Sequence, residues 1–242
     1  ASDSKALPVT VQYPSNLTHR DMYYFMMAPT LCYELNFPRT SIIRWNFVAK
    51  RLTECALIFV MIIMIGQQWI QPTVANTMTG LNTKTGLSGI FYLATRTMKL
   101  ALPNNLTWLL MFYMYFHSFL NATAELLRFG DRQFYRDWWN ASSVQYFWKN
   151  WNIPVHKWML RHVYRPMRIK GFSRNATVFA VFLLSAVLHE IAVSVPLGLI
   201  RGYSFAGMMV YIPLAAVETF AQHNGLLNQQ WGNVVVWTTL LI

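Results

Sequence analysis

Residues 175–200 read NATVFAVFLLSAVLHEIAVSVPLGLI, an apolar run in which Glu190 is the only formal charge. A chain needs roughly 20 such residues to cross the hydrocarbon of a bilayer. Runs of the same character lie at 52–70, 106–124 and 203–220, and the run 231–242 reads as the start of another. In lipid every backbone polar group must be satisfied within the protein, which for successive single runs means helices. Only 12% of the residues are charged, about half the share usual in a soluble domain. The expected fold is therefore all-α, a polytopic membrane bundle, with 1–242 as a single domain. Residues 1–15 are polar and carry no apolar leader, and the sequence stops inside VVVWTTLLI. The expectation is a segment of a longer protein.

Charge placement narrows the reading. The net charge is +11. No Asp or Glu occurs between Trp138 and His189, while Lys149, Lys157, Arg161, Arg165, Arg168, Lys170 and Arg174 fall in that interval. Basic loops stay on the cytoplasmic face of a membrane. Two readings stand on this feature: topology alone, or topology together with a polyanionic ligand such as the phosphates of a nucleotide.

Along the chain, FPRTSIIRW (37–45) offers a Ser or Thr as a helix cap before the first span. That span is expected at about 52–71, closed by Pro72, with 73–84 as a polar loop and 86–102 as an interfacial helix or short span. The second span, from Leu106 to Leu127, carries His117, Asn121 and Glu125 at i, i+4 and i+8. Three polar groups on one helical face are costly against lipid, so that face is expected to pack on another helix or line a cavity. From Phe134 to Trp158 nine aromatics occur in 25 residues, the composition of a membrane interface. Pro154 suits the first turn of a helix. Beyond it Val155, Trp158, Met159 and Val163 share one face and Lys157, Arg161 and Arg165 another, which predicts a basic amphipathic helix in the interface.

His189 is the most informative single residue. It lies 15 residues past Arg174, about 22 Å along a continuous helix, within a hydrocarbon core about 30 Å thick. With Glu190 beside it, the pair marks a functional site by default; the structural alternative is a histidine hydrogen-bonded between helices. Desolvation is expected to keep the imidazole neutral, as suits a general base. No metal site is expected: His189-Glu190 is not followed by x-x-His, and Cys32 and Cys55 lack zinc spacing. The serine elbow G-x-S-x-G is absent. What is left is a base without a protein nucleophile, which favours direct attack by a substrate hydroxyl.

FYRDWWN (134–140), NWNIPVHKW (150–158) and SAVLHEIAVSVPL (185–197) together resemble the membrane-bound O-acyltransferase family, and most of all its branch that esterifies diacylglycerol. YPSNLTHRDMYYFMMAPTLCYELNFPR (13–39) extends the match over nearly the whole chain in order. The resemblance implies a helical bundle around a buried reaction chamber, with His189 as catalytic base and Asn152 and Glu190 as catalytic partners; for Asn152, two residues before Pro154, a helix N-terminal cap is the alternative. It implies that Trp151, His156, Tyr164 and Ser185 line the acyl-CoA tunnel and that Arg174 faces the CoA phosphates. In FYRDWWN it associates Phe134, Tyr135, Asp137, Trp138, Trp139 and Asn140 with acyl-CoA binding, interfacial packing being the alternative for the two tryptophans. Three departures stand out: Ile191 and Tyr211 replace residues common in animal members, Tyr and Gln respectively, and the sequence ends before a Gly-Gln-Pro motif of the family.

The implied partners are fatty acyl-CoA as co-substrate, diacylglycerol and membrane lipids, in a homo-oligomer of the endoplasmic reticulum membrane. No cofactor, metal or nucleic acid is expected. The alternatives are a sterol or long-chain-alcohol acyltransferase of the same family and, from another class, a transporter using His117, Glu125 and His189-Glu190 as an ion relay.

Overall fold

A computed structural model describes residues 11–225 and 228–241, so the polar lead 1–10 and the last residue lie outside the described residues. Most of the described residues are helical and none forms a strand; one isolated bridge pairs Arg39 with Phe129. They group into two compact units. The first holds residues up to 29, 34–134 and the end of the chain from 239; the second holds 30–33 and 135–238.

In the first unit, helix α1 (His19–Met27) opens on Thr18, whose hydroxyl accepts the Asp21 N–H. Helix α2 (Trp45–Ile65) does not end at Pro72 as expected. It runs through a π-helical turn at Gly66–Ile70 into α3 (Gln71–Leu81), so the predicted polar loop is largely helix. A proline in a helix lacks the N–H and strikes the carbonyl four residues back. The wider turn, in which the Gln71 N–H reaches Gly66 O, relieves that clash just before Pro72. The next two expected segments also merge. Helix α4 (Gly86–Phe112) contains Pro103 and continues through a π segment at Tyr113–Phe119 into α5 (Leu120–Leu126).

No Ser or Thr caps α2. Its cap is Arg44, and the Arg44 N–H donates to Glu125 Oε1 at 2.8 Å. The Arg44 guanidinium also holds both Glu125 oxygens, at 3.1 and 2.9 Å, and Arg132 Nη1 joins Oε2. Glu125 is fully buried. The carboxylate thus faces the N-terminus of α2, where a helix favours negative charge, and the polar face predicted for 106–127 packs on another helix. A second link lies further along the same pair of helices, where Ser118 Oγ donates to Glu54 Oε2 at 2.8 Å and Glu54 pairs with Arg51. At the α3–α4 turn, Tyr92 donates to Asn76 O, lies against Gly80 where no Cβ fits, and carries Lys84 and Arg96 over its ring.

The second unit begins with a 3₁₀ turn at Trp138–Asn140, then α6 (Val144–Asn150) and α7 (Ile153–Met159). A π segment at Leu160–Tyr164 leads into α8 (Arg165–Ile169) and again precedes a proline, Pro166, by two residues. Along this stretch Ile153 and Met159 are buried, Trp158 and Val163 are half-buried and Val155 is exposed, so the predicted apolar face holds except at Val155. The unit closes with α9 (Arg174–Leu197), α10 (Tyr203–His223) and α11 (Gln229–Leu241), the last as far as residue 238. Among the described helices, α9 and α10 are long and apolar enough to cross a membrane, with mean hydropathies of 2.2 and 1.4. Little of either is buried within the protein. On α9 exposed Val187, Leu188, Ile191 and Val193 cover the stretch around His189, a surface suited to lipid or to further protein.

Candidate active site

Ser173 caps α9 by accepting the Ala176 N–H, and Arg174 is the first helical residue, exposed to solvent. His189 lies four turns further along. Its Nδ1 is 2.7 Å from the Ser185 carbonyl oxygen and 3.4 Å from Ser185 Oγ. A carbonyl only accepts, so Nδ1 carries the proton and donates it to Ser185 O. The neutral ring then presents Nε2 as an unprotonated lone pair. Nε2 makes no hydrogen bond among the described residues, and the ring is exposed rather than buried. The desolvation expected around His189 is therefore not supplied by the described residues.

The Glu190 carboxylate is held by its own helix and by the start of the next. Its Oε1 accepts from Ser194 Oγ at 2.6 Å and from the Gly202 N–H at 2.7 Å, and its Oε2 accepts from the Phe205 N–H at 3.1 Å. Gly202, in the left-handed region at φ 74°, is the cap of α10 and offers no side chain. Glu190 takes over the capping role from the neighbouring helix, binding two of the orphan N–H groups of α10. It locks the α9–α10 hairpin one residue from His189.

NWNIPVHKW folds as a break between two helices. Asn152 is the N-cap of α7: its Oδ1 accepts the Val155 N–H at 3.2 Å, with Pro154 in the first turn as expected. Its Nδ2 makes no hydrogen bond among the described residues, and none joins Asn152 to His189. Trp151 stacks on Phe147 at 5.9 Å and stands edge-on to Trp138 at 6.1 Å. Burial pushes the half-buried His156 imidazole below its ordinary pKa, and the Lys149 charge adds to the effect. Tyr164 closes the π segment and Ser185 sits under His189; both are half-buried.

In FYRDWWN the side chains mostly pack. Phe134 and Trp138 are buried, and Phe134 belongs to the first unit. Trp138 touches Phe147, Trp151 and Trp237 with ring centroids 5.9–6.1 Å apart. Tyr135 stands edge-on to Trp139, whose own ring is half in solvent. Asp137 is exposed and accepts the Tyr146 hydroxyl at 2.7 Å, a bond that raises the phenol's pKa. Asn140 ends the 3₁₀ turn, exposed.

The sequence reading missed Glu218, Gln222, Asn233 and Trp237, whose side chains bind the backbone of residues 139–144. A signal was available for Glu218, the lone acid in the apolar run 203–220. Nothing in the sequence marks the other three.

The family model described as "MBOAT, membrane-bound O-acyltransferase family" matches residues 1–240. Diacylglycerol O-acyltransferase 1 of Chlorocebus aethiops is 51% identical over the whole chain, which covers 47% of that relative. The Homo sapiens protein of that name is 50% identical over the whole chain, covering 48% of the relative. Diacylglycerol O-acyltransferase 1C of Glycine max is 40% identical over 96% of the chain and 44% of its own length. The chain thus spans about half the length of the curated relatives it matches.

Proposed function

This chain belongs to the membrane-bound O-acyltransferase family, and on that footing we propose that the protein transfers a fatty acyl group from acyl-CoA to the free hydroxyl of diacylglycerol, giving triacylglycerol. The observation that carries the mechanism is the 2.7 Å contact from His189 Nδ1 to Ser185 O, which leaves Nε2 free to act as a base. Nε2 takes the proton of the acceptor hydroxyl as its oxygen attacks the thioester carbonyl. The tetrahedral intermediate collapses, the C–S bond breaks, and the imidazolium returns the proton to the departing CoA sulfur. No covalent bond to the protein forms.

Asn152 serves this step through Nδ2, the half of its amide that the helix cap does not use. It donates to the reacting oxygen while Oδ1 holds the turn. Glu190 is a positioning residue that acts through the α9–α10 hairpin. Arg174, at the outer end of the helix that carries His189, meets the CoA phosphates. Trp151, His156, Tyr164, Ser185 and the FYRDWWN residues line or brace the path of the co-substrate. The family resemblance further supports an endoplasmic reticulum membrane location and a homo-oligomer. The ion-relay alternative loses support because Glu125 and Glu190 are both committed to internal hydrogen bonds.

The test uses full-length protein with oleoyl-CoA and 1,2-dioleoylglycerol, following free CoA thiol and triacylglycerol together. Thiol release should require the acceptor, and His189→Gln should lower kcat by about 10²–10⁴, the usual contribution of a positioned base. Turnover by His189→Gln close to wild type removes His189 from the mechanism. Preference for cholesterol or hexadecanol over the diacylglycerol reassigns the acceptor.

A further inference from the structure

Residues 139–144 connect the 3₁₀ turn to α6, and their backbone groups need partners outside regular structure. They find them on two later helices. Trp139 O accepts from Asn233 Nδ2 at 3.1 Å and from Trp237 Nε1 at 3.0 Å. Ala141 O accepts from the same Asn233 Nδ2 at 2.9 Å, and Ser142 O from Gln222 Nε2 at 3.0 Å. The Val144 N–H donates to Glu218 Oε2 at 2.8 Å. Asn233 and Trp237 are four residues apart on α11, and Glu218 and Gln222 are four apart on α10. Two helical faces therefore grip one short stretch of backbone.

The fit leaves no slack. A Cβ on Gly232 would lie 2.1 Å from Ser142 O, so α11 touches the stretch backbone to backbone. Ala141 is fully buried, and the Trp138 ring lies 5.9 Å from that of Trp237. An apolar filler would hold these segments together with less regard for register, whereas hydrogen bonds to named carbonyls fix it.

The clasp is connected to both halves of the site. Val144 opens α6, and Asn152 caps α7 directly after it. At its other end, α10 is tied by Glu190 to the helix that carries His189. We propose that Asn233, seconded by Trp237, is a positioning residue for acyl transfer: by binding the Trp139 and Ala141 carbonyls it fixes the stretch through which Glu218 and Gln222 join the Asn152 arm to the α9–α10 hairpin. The inference rests on the acyl-transfer reading given above.

The test takes the full-length enzyme with spin labels at exposed Lys157 and Arg201, on α7 and in the α9–α10 turn. Asn233→Asp keeps the shape and replaces the donor with a carboxylate facing two carbonyls. Trp237→Phe keeps the ring and deletes one N–H. Asn233→Asp should lower kcat at least tenfold per folded molecule, leave the Kd of oleoyl-CoA within twofold, and broaden the label-to-label distance distribution. Trp237→Phe should move kcat and the distribution a few-fold less in the same direction. A merely structural role lowers yield and melting temperature while kcat per folded molecule and the distances stay as in wild type; that result overturns the proposal. If Asn233→Asp does not fold, an unchanged kcat and an unchanged distribution in Trp237→Phe overturn it equally. A wild-type enzyme that makes no triacylglycerol sinks the acyl-transfer reading instead, and the distance arm then decides the clasp by itself.

Discussion

Glu125→Gln tests the polar hub of the first unit. The wild-type carboxylate is fully buried and accepts four hydrogen bonds, from Arg44 N, Nε and Nη2 and from Arg132 Nη1. Glutamine keeps the volume and one acceptor oxygen. Its amide nitrogen, however, points donors at guanidinium donors, and the two cations lose their counter-charge. Removing one partner of a buried ion pair costs about 3–5 kcal/mol. The Arg44 side chain is 57% exposed and regains water, whereas that of Arg132 is only 16% exposed. The expected loss is therefore at the lower end, about 3 kcal/mol. The shift is roughly 2–4 °C per kcal/mol for 150–250 residues and about half that for a protein twice as long, so the melting temperature should fall by about 3–6 °C. The assay is tryptophan fluorescence of the full-length protein in detergent during heating. The loss should persist in 1 M salt, since buried pairs are poorly screened. Arg132→Ala should cost more than Arg44→Ala, because Arg132 is the more buried and its Nε also binds Phe129 O at 2.8 Å. A fall under about 2 °C for Glu125→Gln, or the reverse order for the two arginines, refutes the reasoning.

Three further outcomes are expected. Asn152→Asp keeps the α7 cap but loses the Nδ2 donor, so stability should hold while kcat drops about a hundredfold; wild-type turnover would make Asn152 a cap and nothing more. Gly232→Ala puts a methyl on Ser142 O, and thermal melts should register a loss of about 1–3 kcal/mol or more. Burial lowers the His156 pKa below its unfolded value, so the unfolded chain binds the extra proton first. Its contribution is complete above pH ~6.5 and is lost as pH falls through the window beneath; melts of wild type and His156→Gln at pH 7.5 and 5.0 should therefore converge at the lower pH.

What the sequence determined by itself is what one-dimensional pattern encodes. Long apolar runs dictate helices because lipid leaves the backbone no other partner. The position of Pro154 after Asn152 dictates a cap and a first turn, since both act within four residues. His189 stood out because an ionisable side chain inside 175–200 has no solvation reason to be there. Local pattern does not suffice at Pro72, where a proline reads as a stop and the helix continues. Whether a helix ends or widens into a π turn depends on what lies beyond it, and α2 and α3 continue as one element. Tertiary structure alone decided the rest. It set the Glu190 carboxylate on the first N–H groups of α10, twelve and more residues away. It also brought Asn233 and Trp237 onto carbonyls more than 90 residues earlier. Backbone carbonyls are the same at every position, so a side chain that binds one leaves no compositional trace, and only the folded path of the chain determines which pair will meet.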